Sequence, residues 1–282
     1  MRFGVTIPNF GEFGNARVLA DLAAVAEGAG WDGCFVWDHI RPADPAMPLA
    51  DPWIAATAMA LATERILLGP LVTPLARRRP WQVARQAVTL DHLSGGRLVL
   101  GVGLGGDWNG EYLGFGETGS NKQRGEMLDE ALEVITGLWT GEPFSFHGEH
   151  YQVTDVPFLP VPAQQPRIPI WVAGIWPNTA PFRRAARFDG AFPIVERASF
   201  ATLPEEIRAI RALIAEHRPS GALYDMVVHS ESRGVPSDEL AENLTALEDA
   251  GVTWWLQTVD PAEALSGVRT LLADGPPRRK LD

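Results

Sequence analysis

Asp38 and His39 stand side by side directly after an apolar run, Gly33-Cys-Phe-Val-Trp37. A histidine next to a carboxylate can move a proton or hold a developing charge near neutral pH, because imidazole titrates there. The same pair can serve structure alone, with Asp38 capping loop backbone and His39 packing. A second constellation, Gly101-Val-Gly103-Leu-Gly105-Gly106, has the G-x-G-x-x-G spacing after an apolar run. A dinucleotide fingerprint needs a helix to open on its last glycine. Here Asp107-Trp108-Asn109-Gly110 and Gly114-Phe-Gly116 keep the chain in loop until about Asn121. What remains is either backbone without Cβ, which a planar ring can approach closely, or a flexible surface loop.

Three further stretches bear on ligand chemistry. Ala173-Gly174, ahead of Asn178-Thr179 and a helix, offers backbone N–H groups to a phosphate. Arg77-Arg78-Arg79 would supply local cations, or else is a solvated loop. In Leu68-Gly-Pro-Leu-Val-Thr-Pro74 the proline at 70 cannot donate to a central ladder. That predicts either a bulge able to carry a flat ligand or a strand that stops at Gly69.

Other chemistries are excluded or disfavoured. His147-Gly-Glu-His150 lies in a hairpin pattern without partner carboxylates, so no metal site is expected. No G-x-S-x-G nucleophile elbow occurs. The lone Cys34 excludes an internal disulfide framework and reads as a structural thiol. With 24 Lys+Arg against 35 Asp+Glu, the net charge of −11 gives no footprint for nucleic acid. No targeting segment or run of roughly 20 apolar residues is visible, so neither membrane nor export is expected and the chain is placed in the cytoplasm.

The elements that must position these residues alternate. Strands are expected over 2–8, 32–37, 65–72, 97–102, 170–174, 189–195, 224–229 and 252–259. Helices follow over 16–29, from Asp51-Pro52, over 81–93 and 122–139, up to Phe188, and over 203–217, 237–250 and 261–273. Eight such pairs of near-continuous apolar strands imply a parallel sheet covered by helices, and the count fits a closed (β/α)8 TIM barrel in one domain over 1–282. The Pro/Gly-rich stretch 141–169, with a hairpin pattern over 144–153, reads as an insertion after the fourth helix.

In a barrel, chemistry belongs to the loops at the C-terminal strand ends. That rule selects Asn9-Phe10, Trp37-Asp38-His39, Leu71-Val72-Thr73, 103–110, Gly174-Ile175-Trp176, Glu196-Arg197 and His229-Ser230-Glu231. Asn9, Trp108 and Trp176 are candidate substrate contacts, the tryptophans suiting an aromatic or greasy substrate or else packing as a roof.

Taken together, the ordered stretches Arg2-Phe-Gly-Val with Ile7-Pro8, Gly30-Trp-Asp-Gly with Trp37-Asp-His39, Asp51-Pro-Trp53, Ile66-Leu-Leu-Gly69 with Val72-Thr-Pro74, Asp91-His-Leu-Ser-Gly-Gly-Arg97, Gly101-Val-Gly103, Gly148-Glu-His-Tyr151 and Asp189-Gly190 resemble the bacterial luciferase-like oxidoreductases. The resemblance implies flavin mononucleotide (FMN) or the deazaflavin coenzyme F420, with the ring in the barrel mouth. It implies a bulge with a non-proline cis peptide near Leu71-Val72, a ring lined by Gly103-Leu104-Gly105, and a phosphate received by Ala173-Gly174-Ile175. Asp38 would touch the cofactor and His39 would act on the substrate proton. Luciferase-type flavin members more often carry Glu-His, so Asp38 favours F420.

The sequence departs from the related sugar-phosphate dehydrogenases in two places. Where they have an acid this chain has Gly106, leaving Asp107 or Glu111 as substitutes. Only about six residues separate His229 from Pro236, so the roof over the site should be more open. The implied function is monooxygenation or hydride transfer on a small organic substrate, by a homodimer. The alternatives are a non-catalytic flavin- or ligand-binding barrel, and a barrel lyase or isomerase of phosphorylated substrates acting through the Gly174 loop.

Overall fold

The structure is a computed structural model that describes residues 1–195, 202–218 and 223–277. Glu196-Arg197, selected above as a strand-end pair, lies outside the described residues. The strands are β1 (Arg2–Ile7), β2 (Gly33–Val36), β3 (Leu67–Pro70), β4 (Thr73–Pro74), β5 (Leu100–Gly103), β6 (Phe144–His147), β7 (Gln152–Val156), β8 (Ile170–Ile175), β9 (Gly190–Ile194), β10 (Asp225–Ser230) and β11 (Trp254–Thr258). The helices are α1 (Ala16–Gly28), α2 (Pro52–Leu61), α3 (Pro80–Ser94), α4 (Asn121–Leu138), α5 (Ala180–Ala185), α6 (Leu203–Ala215), α7 (Ser237–Asp249) and α8 (Leu265–Ala273).

Nine strands form one parallel sheet in the order β3-β2-β1-β11-β10-β9-β8-β5-β4. Its two ends, β3 and β4, are halves of one chain segment, so the sheet curls into a barrel and meets itself there. Main-chain bonds cross the seam: Val99 N–H donates to the Leu68 carbonyl at 2.9 Å, and Leu68 N–H to the Arg97 carbonyl at 3.1 Å. The antiparallel pair β6–β7 stands apart from the barrel, between α4 and β8.

The third strand is interrupted rather than continuous over 65–72. Pro70 has no N–H to give, the Leu71–Val72 peptide is cis, and Leu71 N–H turns to the Val36 carbonyl at 2.8 Å. Gly69 is required just before the break: its φ is +157°, and a Cβ there would fall 2.1 Å from the Val99 carbonyl oxygen.

Side chains alternate between the two faces of each strand. Those facing outward, such as Val5, Cys34, Val172, Val228 and Trp255, pack under the helices. Those facing inward fill the lumen with Phe35, Leu71, Val99, Trp171, Phe192, Val227, Trp254 and Leu256. At its centre Phe35, Trp171 and Trp254 meet with ring centroids 5.3 to 6.2 Å apart, in the tilted and edge-to-face geometries that aromatic quadrupoles favour. Rings of this size fit because the strands beside them carry glycine. A Cβ on Gly190 would sit 2.5 Å from the Trp171 ring, and one on Gly33 would sit 2.7 Å from Phe35.

Local signals hold the surrounding shell. Asp51 caps α2, accepting from the Trp53 and Ile54 amides at 2.9 Å each, with Pro52 in the first turn. Buried Arg97 donates to the carbonyls of Ala60, Thr63, Ile66 and Ser94 and to the Thr63 hydroxyl, stapling the end of α2 to the seam. Asp91 receives both the backbone and side-chain N–H of Gln164. The 91–97 stretch is thus framework. Burial pushes the Cys34 thiol up to about 12, which leaves it inert. Among the described residues no helix is long and apolar enough to cross a membrane.

The lumen plug should dominate stability. Trp171→Ala is expected to cost about 3–5 kcal/mol, read as a lower urea midpoint, because Gly190 beside the ring has no side chain to refill its space.

Candidate functional site

Three loops at the C-terminal end of the barrel are tied together by charge. The loop after β2 carries Asp38 and His39, the loop after β4 carries Arg77 and Arg78, and the loop after β5 carries Glu111. The Asp38 side chain has no exposed surface. Arg77 donates to its Oδ1 at 2.8 Å, and Arg78 to both its oxygens at 3.0 and 2.9 Å. The two arginines read above as cations for a phosphate are therefore engaged by this carboxylate, and Asp38 is held rather than presented.

Arg77 continues the chain of charge, its Nη1 lying 3.4 Å from Glu111 Oε1. Both Glu111 oxygens lie 3.2 Å from His39 Nδ1, and Oε1 also accepts from the Ile40 amide at 2.8 Å. Burial raises the Glu111 carboxyl, but the hydrogen bond and charge of His39, the Ile40 amide and Arg77 outweigh it, and the net position is below the ordinary value of 4.5. Of the two acids offered as replacements at Gly106, Glu111 is the one that meets His39. Asp107 instead accepts from the Tyr112 and Leu113 amides at 2.6 and 3.3 Å and shapes its own loop.

His39 is fixed from several sides. Asn9, fully buried, donates through Nδ2 to the His39 and Ala50 carbonyls at 2.8 Å each and accepts from the His39 amide at 3.3 Å. Its amide is thus spent on loop backbone. Phe10 and Trp37 flank the imidazole, with centroids 5.6 and 6.0 Å away. Glu111 takes Nδ1, no described residue bonds Nε2, and the side chain keeps 21% of its surface exposed. A histidine with one nitrogen anchored to a carboxylate and the other free is arranged to take or give a proton.

The proposed ring-lining residues fall in two groups. Val72, Gly103 and Ala173 converge: a Cβ on Gly103 would lie 3.0 Å from Val72 Cγ2 and 3.5 Å from Ala173 Cβ. Gly103 of β5, Ala173 of β8 and Val72 from the break between β3 and β4 make a smooth surface beside the Leu71–Val72 peptide, which suits a flat heterocycle. Leu104 and Gly105 begin the next loop. The Leu104 carbonyl accepts from Tyr112 Oη at 2.6 Å and that of Gly105 from Arg124 at 3.3 Å. Gly174 and Ile175 end β8, with Pro181 of α5 pressed where a Gly174 Cβ would be. Part of that loop's amide set is already used, since Trp176 N–H donates to the Ile194 carbonyl and Asn178 N–H to the Ile175 carbonyl, both at 3.0 Å.

Of the remaining candidates, Trp108 is 73% exposed and lies over Gly106, while Trp176 is half-buried, donating to Glu206 and packing edge-on to Phe182. One group was selected only by its strand-end position. His229 on β10 faces the lumen beside Phe192, with centroids 5.1 Å apart, and its Nδ1 meets Thr258 Oγ1 at 3.1 Å. Among the described residues no cluster of three or more His, Cys, Asp or Glu side chains is placed to hold a metal.

A family model described as luciferase-like monooxygenase matches residues 1–255. The chain belongs to this family. An F420-dependent glucose-6-phosphate dehydrogenase of Nakamurella multipartita is 36% identical over 185 residues, 64% of this chain and 52% of that protein, so the chain spans about half the length of this luciferase-like relative. A solved F420-dependent secondary alcohol dehydrogenase, in complex with an F420–acetone adduct, superposes with a TM-score of 0.79 at 18% identity, covering 97% of each chain. The FMN complex of the oxygenating constituent of 3,6-diketocamphane monooxygenase from Pseudomonas putida gives 0.76 at 17%, also covering 97% of each. At such identities the superpositions show the shared luciferase-like barrel.

The depressed Glu111 carboxyl fixes the sign of a pH effect. Its pairing stabilises the fold fully above its ordinary pKa of 4.5 and is lost as pH falls through the lower folded value. Glu111→Gln is therefore expected to be less stable than the parent chain at about pH 7, and the gap should close on acidification below pH 4.5 in urea titrations.

Proposed function

We propose that this chain is a luciferase-like oxidoreductase whose barrel mouth binds coenzyme F420 in preference to FMN and acts on a small organic substrate. The observation that carries the reading is His39, anchored through Nδ1 by Glu111 and free at Nε2, at the barrel end that also holds the Val72–Gly103–Ala173 surface. The F420 preference rests on Asp38 and on the F420-dependent relative. A bound flavin or deazaflavin supplies the two-electron chemistry.

The chain's own residues do the rest. Leu71, Val72, Gly103, Leu104 and Gly105 would bear the ring, and Ala173, Gly174 and Ile175 would receive the phosphate end. Asp38 acts as a positioning residue, its buried carboxylate locking Arg77 and Arg78 so that Arg77 can reach Glu111. His39 Nε2 takes or returns the substrate proton, and Glu111 holds the imidazole in one orientation through Nδ1. F420 would supply hydride transfer without oxygen. FMN would supply monooxygenation with oxygen. Asn9 serves by holding the His39 loop, and Trp108 and Trp176 border the substrate.

The protein further reads as one domain over 1–282, working in the cytoplasm as a homodimer. Helix α2 supports the dimer: Ile54 and Leu61, two turns apart on its outer face, are 64% and 70% exposed. An apolar stripe of this kind favours a covering partner.

Titrating the purified protein with F420 and with FMN tests the cofactor, and saturable binding of F420 is expected. Binding of neither would overturn the reading. His39→Ala should retain cofactor affinity and lose turnover by about 10²–10⁴-fold in steady-state assays. Ile54→Glu with Leu61→Glu should shift the elution of the protein from dimer to monomer in light-scattering chromatography.

A further inference from the structure

The character of the substrate is written in the walls of the mouth that the cofactor residues leave over. Thr6, Trp37, His229, Thr258 and Phe192 top the lumen on the β1, β2, β9, β10 and β11 side. All five are uncharged or can be so. Trp37 Nε1 donates to Thr6 Oγ1 at 2.9 Å, and Thr258 Oγ1 meets His229 Nδ1, so the polar atoms of this wall are largely paired with one another. His229 is the exception. It is half-buried, no described residue bonds its Nε2, and burial pulls its pKa below 6.5, which keeps the ring neutral at physiological pH.

Around this wall the charges are wrong for an anionic substrate. Beside Thr258 lies a cavity of about 200 Å³ lined by Glu231, Arg233, Gln257, Asp260 and Glu263, where the one guanidinium is paired with Glu263. Glu206 sits under Trp176. Arg77 and Arg78 are engaged by Asp38 and Glu111. A phosphate monoester brought here would meet carboxylates, and Arg77, Arg78 and Arg233 are already paired with carboxylates of the protein.

The rim is mostly apolar, with the exposed Arg41 guanidinium set among its side chains. The abutting loops after β2 and β5 expose Ile40, Met47, Trp108, Leu113 and Phe115, and Asn109 and Arg41 join the two loops. Isolated exposed apolar residues are ordinary, but five on two touching loops at the mouth form a patch that suits a greasy ligand.

We propose that the mouth takes an uncharged, largely apolar alcohol or carbonyl compound, not a sugar phosphate, and that His229 is its specificity-determining hydrogen-bond partner on the β10–β11 wall. This deepens the proposed function and rests on it only for the chemistry performed. The preference between ligands is read from binding alone.

The test is calorimetric titration of the protein, with and without F420, using benzyl alcohol, toluene and glucose-6-phosphate as probes. Benzyl alcohol is expected to bind about ten-fold more tightly than glucose-6-phosphate. Glucose-6-phosphate binding equally or better, or no saturable binding of benzyl alcohol, overturns the proposal. His229→Leu should weaken benzyl alcohol by about five-fold and leave toluene unchanged, since only the hydrogen bond is removed. Equal loss for both probes overturns the role of His229. His229→Gln, which keeps a donor, should restore most of the benzyl alcohol affinity and serves if the leucine variant does not fold. Failure of the cofactor reading would appear separately, as absence of F420 and FMN binding with the probe preference intact.

Discussion

The buried run of charge from Asp38 through Arg77 to Glu111 and His39 is the constraint on which the rest of the mouth depends. Each member comes from a loop that would otherwise be free to choose its own course. A carboxylate with no exposed surface cannot be left without its counter-charge, and breaking such a pair costs about 3–5 kcal/mol. The loops after β2, β4 and β5 therefore stay in register with one another, and the imidazole of His39 is aimed as a consequence. Two arginines spent in this way cannot also neutralise a ligand, so the same network that orders the site reduces its appetite for anions.

Below the network, the barrel is sealed by bulk. Phe35, Trp171 and Trp254 fill the lumen, and Gly33 and Gly190 give them room. Large against small across the barrel keeps the interior dense without forcing rotamers. It also divides the lumen: above the plug, on the β5 and β8 side, the residues shrink to Gly103 and Ala173. The broken third strand belongs to the same design. Pro70 cannot continue the ladder, and the irregular Leu71–Val72 peptide places Val72 against Gly103 at the upper surface.

Much of this was legible along the chain. Alternating apolar runs and amphipathic helices announced eight strand–helix pairs, Asp51-Pro52 announced the start of α2, and Pro70 announced an irregularity in the third strand. Asp38-His39 stood out by residue type and by strand-end position. Less visible was how these residues would pair. Arg77 and Arg78 read as free cations because nothing local reveals a carboxylate 39 or 40 residues away. Asn9 read as a ligand contact because its burial depends on the loop that folds over it. The bounds 65–72 overran the break that Pro70 signalled, because apolar periodicity is blind to a peptide that leaves the ladder.

The sequence by itself determined the elements and the family. Burial periodicity, caps and prolines are properties of neighbouring residues, and they suffice to say which segments are strands and which ends of them carry polar groups. Only the tertiary structure decided that Glu111 rather than Asp107 meets His39, that Asp38 is an anchor and not a surface, and that His229 meets Thr258 and Phe192. Those outcomes depend on distances between segments brought together by barrel closure, and an electrostatic or hydrogen-bonding partner is chosen by proximity in space, which no spacing along the chain encodes.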